Sequence, residues 1–468
     1  RRSGVSETIT GSSEGGGRDL NLLSLSLLCI PLGLLSGLGA LAFRWLLALV
    51  HNLFFFGRFS WSYDPAAHPP PSPCGPFIIF APVAGAMIVV FLVRNFAPEA
   101  KGSGVPEVMD SIYYGEGRMR AVVALVKPVA SAFSVGSGGS IGKEGPSLQM
   151  GAALGSTLGR ITSVSARQKK TLVCAGAGAA MAATFNAPIG SMLFLAEVVL
   201  HEFSVRTLTP LATATIAASA ASRILSLDNP LEALPHAGLD FTGMSMVFLL
   251  LSCAIMGVLM GGASTVFIRA VYSTEDFLKR FLKGGAYMRH AGSMLLVGVL
   301  MYLLMVTSGH YYVDGLGYPT MNEILFGELT SGRLLLVLFA AKMLSTSLTL
   351  GSGAAGGIFS PALYLGATLG GAYAALVNGF FPIPAAAAPV FALAGMSAMV
   401  GGSTGAVLAA TVMLFEMTRD HNAVLPMILA ASMSSSVRKF LLRDTIYTMK
   451  LSRAGHQVPG LLKRMTRG

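Results

Sequence analysis

Residues 136–155 recur without a gap 215 positions later, as residues 351–370, and ten of the twenty positions are identical. The shared residues are Gly136/Gly351, Ser137/Ser352, Gly138/Gly353, Gly142/Gly357, Pro146/Pro361, Leu148/Leu363, Gly151/Gly366, Ala152/Ala367, Leu154/Leu369 and Gly155/Gly370. Upstream, Lys127 and Lys342 keep the same register. The chain therefore reads as two copies of one unit, each giving a Gly-rich helix start to a shared site. The copies part company at one place. Where the first has Lys143-Glu144-Gly145, the second has Ile358-Phe359-Ser360.

Glycines leave backbone N–H groups bare toward a ligand, and a helix starting at Glu144-Gly145-Pro146 leaves its first amides unpaired. Unpaired amides at the positive end of a helix dipole attract an anion. The motif is not a nucleotide phosphate loop: three residues rather than four separate Gly138 from Gly142, and Glu144 follows Lys143 where Ser or Thr is needed. Close helix packing in a membrane accounts for Gly151, Ala152, Ala153 and Gly155. It does not account for Glu144. The reading is an anion site with an acid in its mouth.

Only 12% of the 468 residues are charged and 53% are hydrophobic, with a mean hydropathy of +0.65. Soluble domains carry about a quarter charged residues, so the chain is expected to be an all-α polytopic membrane protein. Its net charge of +11 does not point to nucleic acid, because the cations gather at segment ends, as at Arg167, Lys169 and Lys170 or Lys279 and Arg280. Cys29, Cys174 and Cys253 lie in apolar runs and Cys74 in a Pro-rich loop, with no pairing or metal spacing. No metal, cofactor or enzymatic chemistry is expected.

Residues 1–18 read as a polar, mobile terminus, 19–225 as the first membrane repeat, 226–454 as the second and 455–468 as a basic tail. Leu20–Phe56 is longer than the ~20 residues needed to cross a bilayer, so it is tilted, bent or protruding. From Val105 the apolar segments become short and broken by Gly and Pro. Broken helices at membrane depth are tolerated where their ends are buried in protein or line a wet cavity.

Gly102-Ser103-Gly104-Val105-Pro106-Glu107, Gly142-Lys143-Glu144-Gly145-Pro146, Gly357-Ile358-Phe359-Ser360-Pro361 and Tyr447 together resemble the signature motifs of the CLC chloride channels and chloride/proton exchangers, in order and spacing from about Leu20 to Arg453. The resemblance implies two inverted repeats and a homodimer with one pore in each subunit, sited in the lipid bilayer of a cell or inner membrane with cytoplasmic termini. It implies a central chloride held by the hydroxyls of Ser103 and Tyr447 and the N–H groups of Ile358 and Phe359. It also implies an outer site at the N–H groups of Lys143, Glu144 and Gly145, with Glu144 as the gate. The family's paired nucleotide-binding modules are not expected in this chain. Ser103 also fits a helix N-cap, and Tyr447 an interfacial aromatic. Hydroxyls and dipoles hold chloride weakly enough to release it, as conduction requires.

In exchangers of this family, two adjacent acids follow the segment matching Asn186-Ala187-Pro188-Ile189-Gly190, and the second relays protons. Here the pair is Glu197-Val198, and Met109 stands where exchangers carry a further acid. These departures favour a passive chloride channel, with a chloride/proton antiporter as the alternative. Glu197 and Glu416 are read as buried helix caps, and Glu202 as a poor substitute relay. A transporter of organic anions is the reading from another class; it would need Arg clamps, and the Gly-rich motifs have none.

Overall fold

The computed structural model describes residues 18–225, 246–282, 284–381, 383–384 and 387–458. The readings of residues 1–17 and 459–468 lie outside them. Arg18, placed by sequence in the mobile terminus, is instead tied down: its N–H donates to Ser163 O at 2.9 Å.

Seventeen α-helices carry the described chain. The first repeat contains α1 (Leu22–Phe56), α2 (Ala81–Asn95), α3 (Val105–Tyr113), α4 (Val123–Gly136), α5 (Glu144–Ile161), α6 (Ala166–Phe185), α7 (Pro188–Phe194) and α8 (Val205–Ile224). A π-turn, Leu195–Leu200, continues α7. The second contains α9 (Met246–Phe281), α10 (Gly285–Ser308), α11 (Tyr318–Leu325), α12 (Gly332–Ser352), α13 (Phe359–Phe380), α14 (Ala387–Thr404), α15 (Val407–Thr418), α16 (Val424–Leu441) and α17 (Thr448–Arg453). Among the described residues, six helical stretches are long and apolar enough to cross a membrane, α1, α9 and α10 among them. On α9, Leu251, Ile255 and Leu259 are exposed at helical spacing, as are Leu296, Val299 and Leu303 on α10. An apolar stripe facing outward suits lipid rather than water. Pro31 lies inside α1 without ending it.

The shared glycines do the same work in both halves. A methyl group at Gly151 would sit 2.1 Å from Gly176 O, and one at Gly366 would sit 2.4 Å from Gly395 O. Small residues thus let α5 lie on α6, and α13 on α14, backbone to backbone. The copies meet at their equivalent glycines. Gly142 N donates to Gly357 O at 2.8 Å and Gly357 N to Gly142 O at 2.6 Å, in antiparallel register. Equivalent residues exchanging both bonds in this way are related by a local two-fold axis, as an inverted repeat requires.

A second reciprocal contact sits at α7 and α15. Glu197, in the turn that continues α7, accepts from Val407, Leu408 and Ala409 N at 3.0, 3.2 and 2.9 Å, capping α15. Glu416 accepts from Ile189 and Gly190 N at 3.1 and 2.7 Å, capping α7. Each carboxylate satisfies amides that a short helix leaves open.

Candidate anion site

Three Gly-rich segments converge where α5 and α13 begin. The Ser103 carbonyl lies so close to Gly145 that a methyl group there would be 2.0 Å from it. Gly102 N donates to Ala354 O at 3.0 Å and Gly356 N to Gly102 O at 3.1 Å, strapping the Ser103 loop to the turn before α13. Buried Lys127 fixes the same loop, with Nζ donating to Ala100 and Gly102 O at 2.8 and 2.6 Å. Its repeat partner Lys342 holds Val313 and Gly315 O, both at 3.0 Å. These lysines brace the turns that lead into α3 and α11.

The N-cap residues of α5 and α13, Lys143 and Ile358, make no capping bond with their own side chains, and both helices open at the junction. Glu144 projects into it, with only 1% of its surface exposed. Its Oε1 accepts from Tyr318 OH at 2.9 Å and from Ser360 Oγ, and those two hydroxyls lie 3.2 Å apart. Oε2 sits beside Gly142 and Gly357, where a methyl group at Gly142 would approach within 2.1 Å. The carboxylate thus fills the gap between the two helix starts.

Tyr318 and Ser360 were not singled out from sequence as partners of Glu144. A signal was available for the first: Gly317-Tyr318-Pro319 aligns with Gly104-Val105-Pro106 when the braces Lys127 and Lys342 are superposed on the loops they hold. Both glycines have positive φ, 91° and 77°, and open the short helices α3 and α11. One copy puts Val105 at the first helical position; the other puts a phenol there.

Ile358 and Phe359 are buried at the start of α13. Phe359 packs on Phe185 and Phe194 at ring distances of 5.1 and 6.1 Å, and Phe194 packs on Tyr447 at 6.3 Å. Tyr447 is 2% exposed, which removes the interfacial-aromatic reading. Its neighbour Ile446 is fixed by Tyr272 OH donating to Ile446 O at 2.6 Å. Ser103 is not the cap of α3: that position is Gly104, and α3 has no side-chain cap. Lys143 lies over the Tyr318 ring at 5.9 Å and lines a cavity of about 230 Å³ with Arg44, Trp61 and Tyr63.

On the other side, Met109 and Val198 line a second cavity, of about 580 Å³. Glu202 accepts from Ser204 Oγ and Thr207 Oγ1 at 2.8 and 3.2 Å, at the start of α8.

A family model described as voltage gated chloride channel matches residues 85–439. The H(+)/Cl(−) exchange transporter ClcA of Salmonella paratyphi B is 31% identical over 93% of this chain and 90% of its own length. ClcA of Citrobacter koseri is 32% identical over the same shares. Among solved structures, a slow cyanobacterial Cl−/H+ antiporter superposes with a TM-score of 0.79 at 24% identity, covering 92% of this chain and 97% of that one. A CLC-type fluoride/proton antiporter superposes at 0.74 and 21%, covering 92% and 98%. With helices placed as in those structures and the motifs meeting at one junction, this chain is a membrane protein of the voltage gated chloride channel (CLC) family.

Proposed function

We propose that the protein carries chloride across a membrane in exchange for protons, with Glu144 as the gate. The observation that carries this reading is the Glu144 carboxylate lying between the first turns of α5 and α13, where an anion would otherwise sit. As an anion it occupies the site itself. Once protonated it loses its attraction to the junction and leaves, and chloride takes its place. Ser103, Tyr447 and the amides of Ile358 and Phe359 hold the ion next along the path; Lys143 and the amides of Glu144 and Gly145 form the outer position. Weak donors of this kind let the ion go again. The unit is a homodimer with a pore in each subunit and needs no cofactor.

Exchange is preferred because relatives across 93% of the chain are named as exchangers. A passive channel is the second reading, and Val198 favours it, since valine cannot relay a proton. Chloride efflux from liposomes tests the gate. Efflux through the wild type rises as the pH falls, and Glu144→Gln conducts independently of pH. If Glu144→Gln kept wild-type flux and pH dependence, the assignment would be wrong.

A further inference from the structure

We propose that the cavity beside Lys143 binds an anionic phospholipid, whose phosphate rests on Arg44 and Lys143 and slows chloride at the outer position. The binding stands on the geometry around α1; the slowing of chloride rests on the transport reading above. A lipid arrives from the bilayer, so its site must lie at headgroup depth and beside a lipid-facing surface.

Both conditions are met on α1. Its start is tied to polar groups at one interface: Leu20, next to Arg18 and Asp19, donates through its N–H to Gln168 Oε1 at 3.0 Å. Arg44 follows Leu22 by about 33 Å of helix at 1.5 Å per residue, close to one hydrocarbon thickness, which puts it at the opposite headgroup level. Arg44 is the sole Asp, Glu, Lys or Arg within α1, and Trp45, a residue type suited to that level, comes next. Between the two ends, Leu27, Leu34, Leu38 and Trp45 are exposed at helical spacing, an apolar track that runs up to the cavity.

The loop after α1 folds back to complete the cavity. Asn52 Nδ2 donates to Ser60 and Ser62 O at 2.9 and 2.8 Å, and Tyr63 tilts against His51 at a ring distance of 4.4 Å. This brings Trp61 and Tyr63 to the cavity of about 230 Å³ that Arg44, Trp45 and Lys143 also line. Both tryptophans of the chain thus stand at one opening, 52% and 54% exposed. Among the described residues, neither indole N–H makes a hydrogen bond, and neither Arg44 nor Lys143 makes a hydrogen bond or an ion pair. The Glu144 carboxylate, next in the chain, is turned to Tyr318 and Ser360. Among the described residues, no Asp or Glu lines the cavity.

Two like charges lining one cavity repel each other, and an anion between them relieves this. A phosphodiester fits: the Arg44 fork can donate to two of its oxygens, and Lys143 adds a point charge. An acidic headgroup fits better than a zwitterionic one, whose ammonium would meet two cations and no carboxylate. The acyl chains then follow the apolar track of α1. Two segments connect the site to the gate. Lys143 precedes Glu144 and lies over the Tyr318 ring at 5.9 Å, and Leu316, from the loop that leads to Tyr318, also lines the cavity. A phosphate here neutralises the cation that draws chloride to the outer position and repels the incoming ion.

The test uses the full chain. Native mass spectrometry of the detergent-solubilised protein with equal phosphatidylglycerol and phosphatidylcholine reads the preference. The wild type is expected to retain phosphatidylglycerol, and Arg44→Gln to retain it about tenfold less, the scale of one lost charge-assisted hydrogen bond. Trp61→Ala, in the loop, is the second variant should the first not fold, and it is expected to lower retention as well. Equal retention of the two lipids by the wild type overturns the site, as does wild-type retention in either folded variant. Release of the lipid by an excess of inorganic phosphate overturns the lipid as occupant in favour of the free anion. Chloride efflux from phosphatidylcholine liposomes, with and without phosphatidylglycerol, reads the effect on transport. The surface potential of the vesicle acts on wild type and variant alike, so phosphatidylglycerol is expected to slow the wild type more than Arg44→Gln. Equal slowing overturns the link to the outer position. A wild type that moves no chloride in either vesicle overturns the transport reading, while the lipid preference is still read by mass.

Discussion

Glu144 is held by two hydroxyls and hemmed in by a glycine, and each contact has a separate consequence. Hydrogen bonds to a charged group contribute about 1.5–3 kcal/mol. Tyr318→Phe removes the 2.9 Å bond to Oε1, leaving Ser360 to hold the carboxylate alone. Chloride efflux at neutral pH is expected to rise by about tenfold or more on that basis; unchanged efflux would mean that Tyr318 does not hold the gate shut. Gly142→Ala tests position rather than bonding. Its methyl group would fall 2.1 Å from Oε2, so the side chain must leave the junction, and the variant should resemble Glu144→Gln in losing pH dependence. A crystal structure of Gly142→Ala with Glu144 still between α5 and α13 would contradict this.

Short helices that end inside a protein need partners for their open amides, and α7 and α15 supply each other's. Glu416→Gln keeps one acceptor oxygen for two N–H groups, so it is expected to lower stability by about 1–2 kcal/mol without altering proton coupling. Thermal unfolding in detergent reads the first effect and the flux ratio the second; lost coupling with unchanged stability would give Glu416 a transport role instead. Lys127→Met strands the Ala100 carbonyl, at about 1–3 kcal/mol, leaves Gly102 O with the Gly356 N–H alone, and loosens the Ser103 loop. At the opposite face, His310 stacks on His68 at 4.2 Å, and His68 lies 3.2 Å from Glu323 on α11. Burial, and then the neighbouring His68, hold His310 below the usual histidine range. The folded state favours the neutral ring, so this contact is retained at high pH and weakens as the pH falls. An NMR titration of His310 with a midpoint above the usual ~6.5 would contradict it.

The two-fold plan was legible in the chain because both copies keep the small residues that let helices touch, and Gly142 and Gly357 meet in the structure as the register requires. The helix start at Glu144 was legible for the same reason. What could not be read was the company Glu144 keeps. Tyr318 and Ser360 come from elsewhere in the chain; the Gly317-Tyr318-Pro319 repeat marks a helix start for the first, and nothing local to either marks it as a partner of Glu144. Helix ends are also not marked by hydrophobicity where polar residues continue a helix beyond its apolar part, as at Ala166–Lys170 of α6 and Ser273–Arg280 of α9. Seen whole, the molecule places Glu144 between a cavity beside Lys143 on one face and a cavity beside Val198 and His201 on the other. The measurement that bears most directly on this arrangement is the reversal potential with equal chloride on both sides and a pH step across the bilayer. The account expects a potential displaced from zero in the wild type and a return to zero in Glu144→Gln. A wild type that conducts chloride and reverses at zero would contradict it.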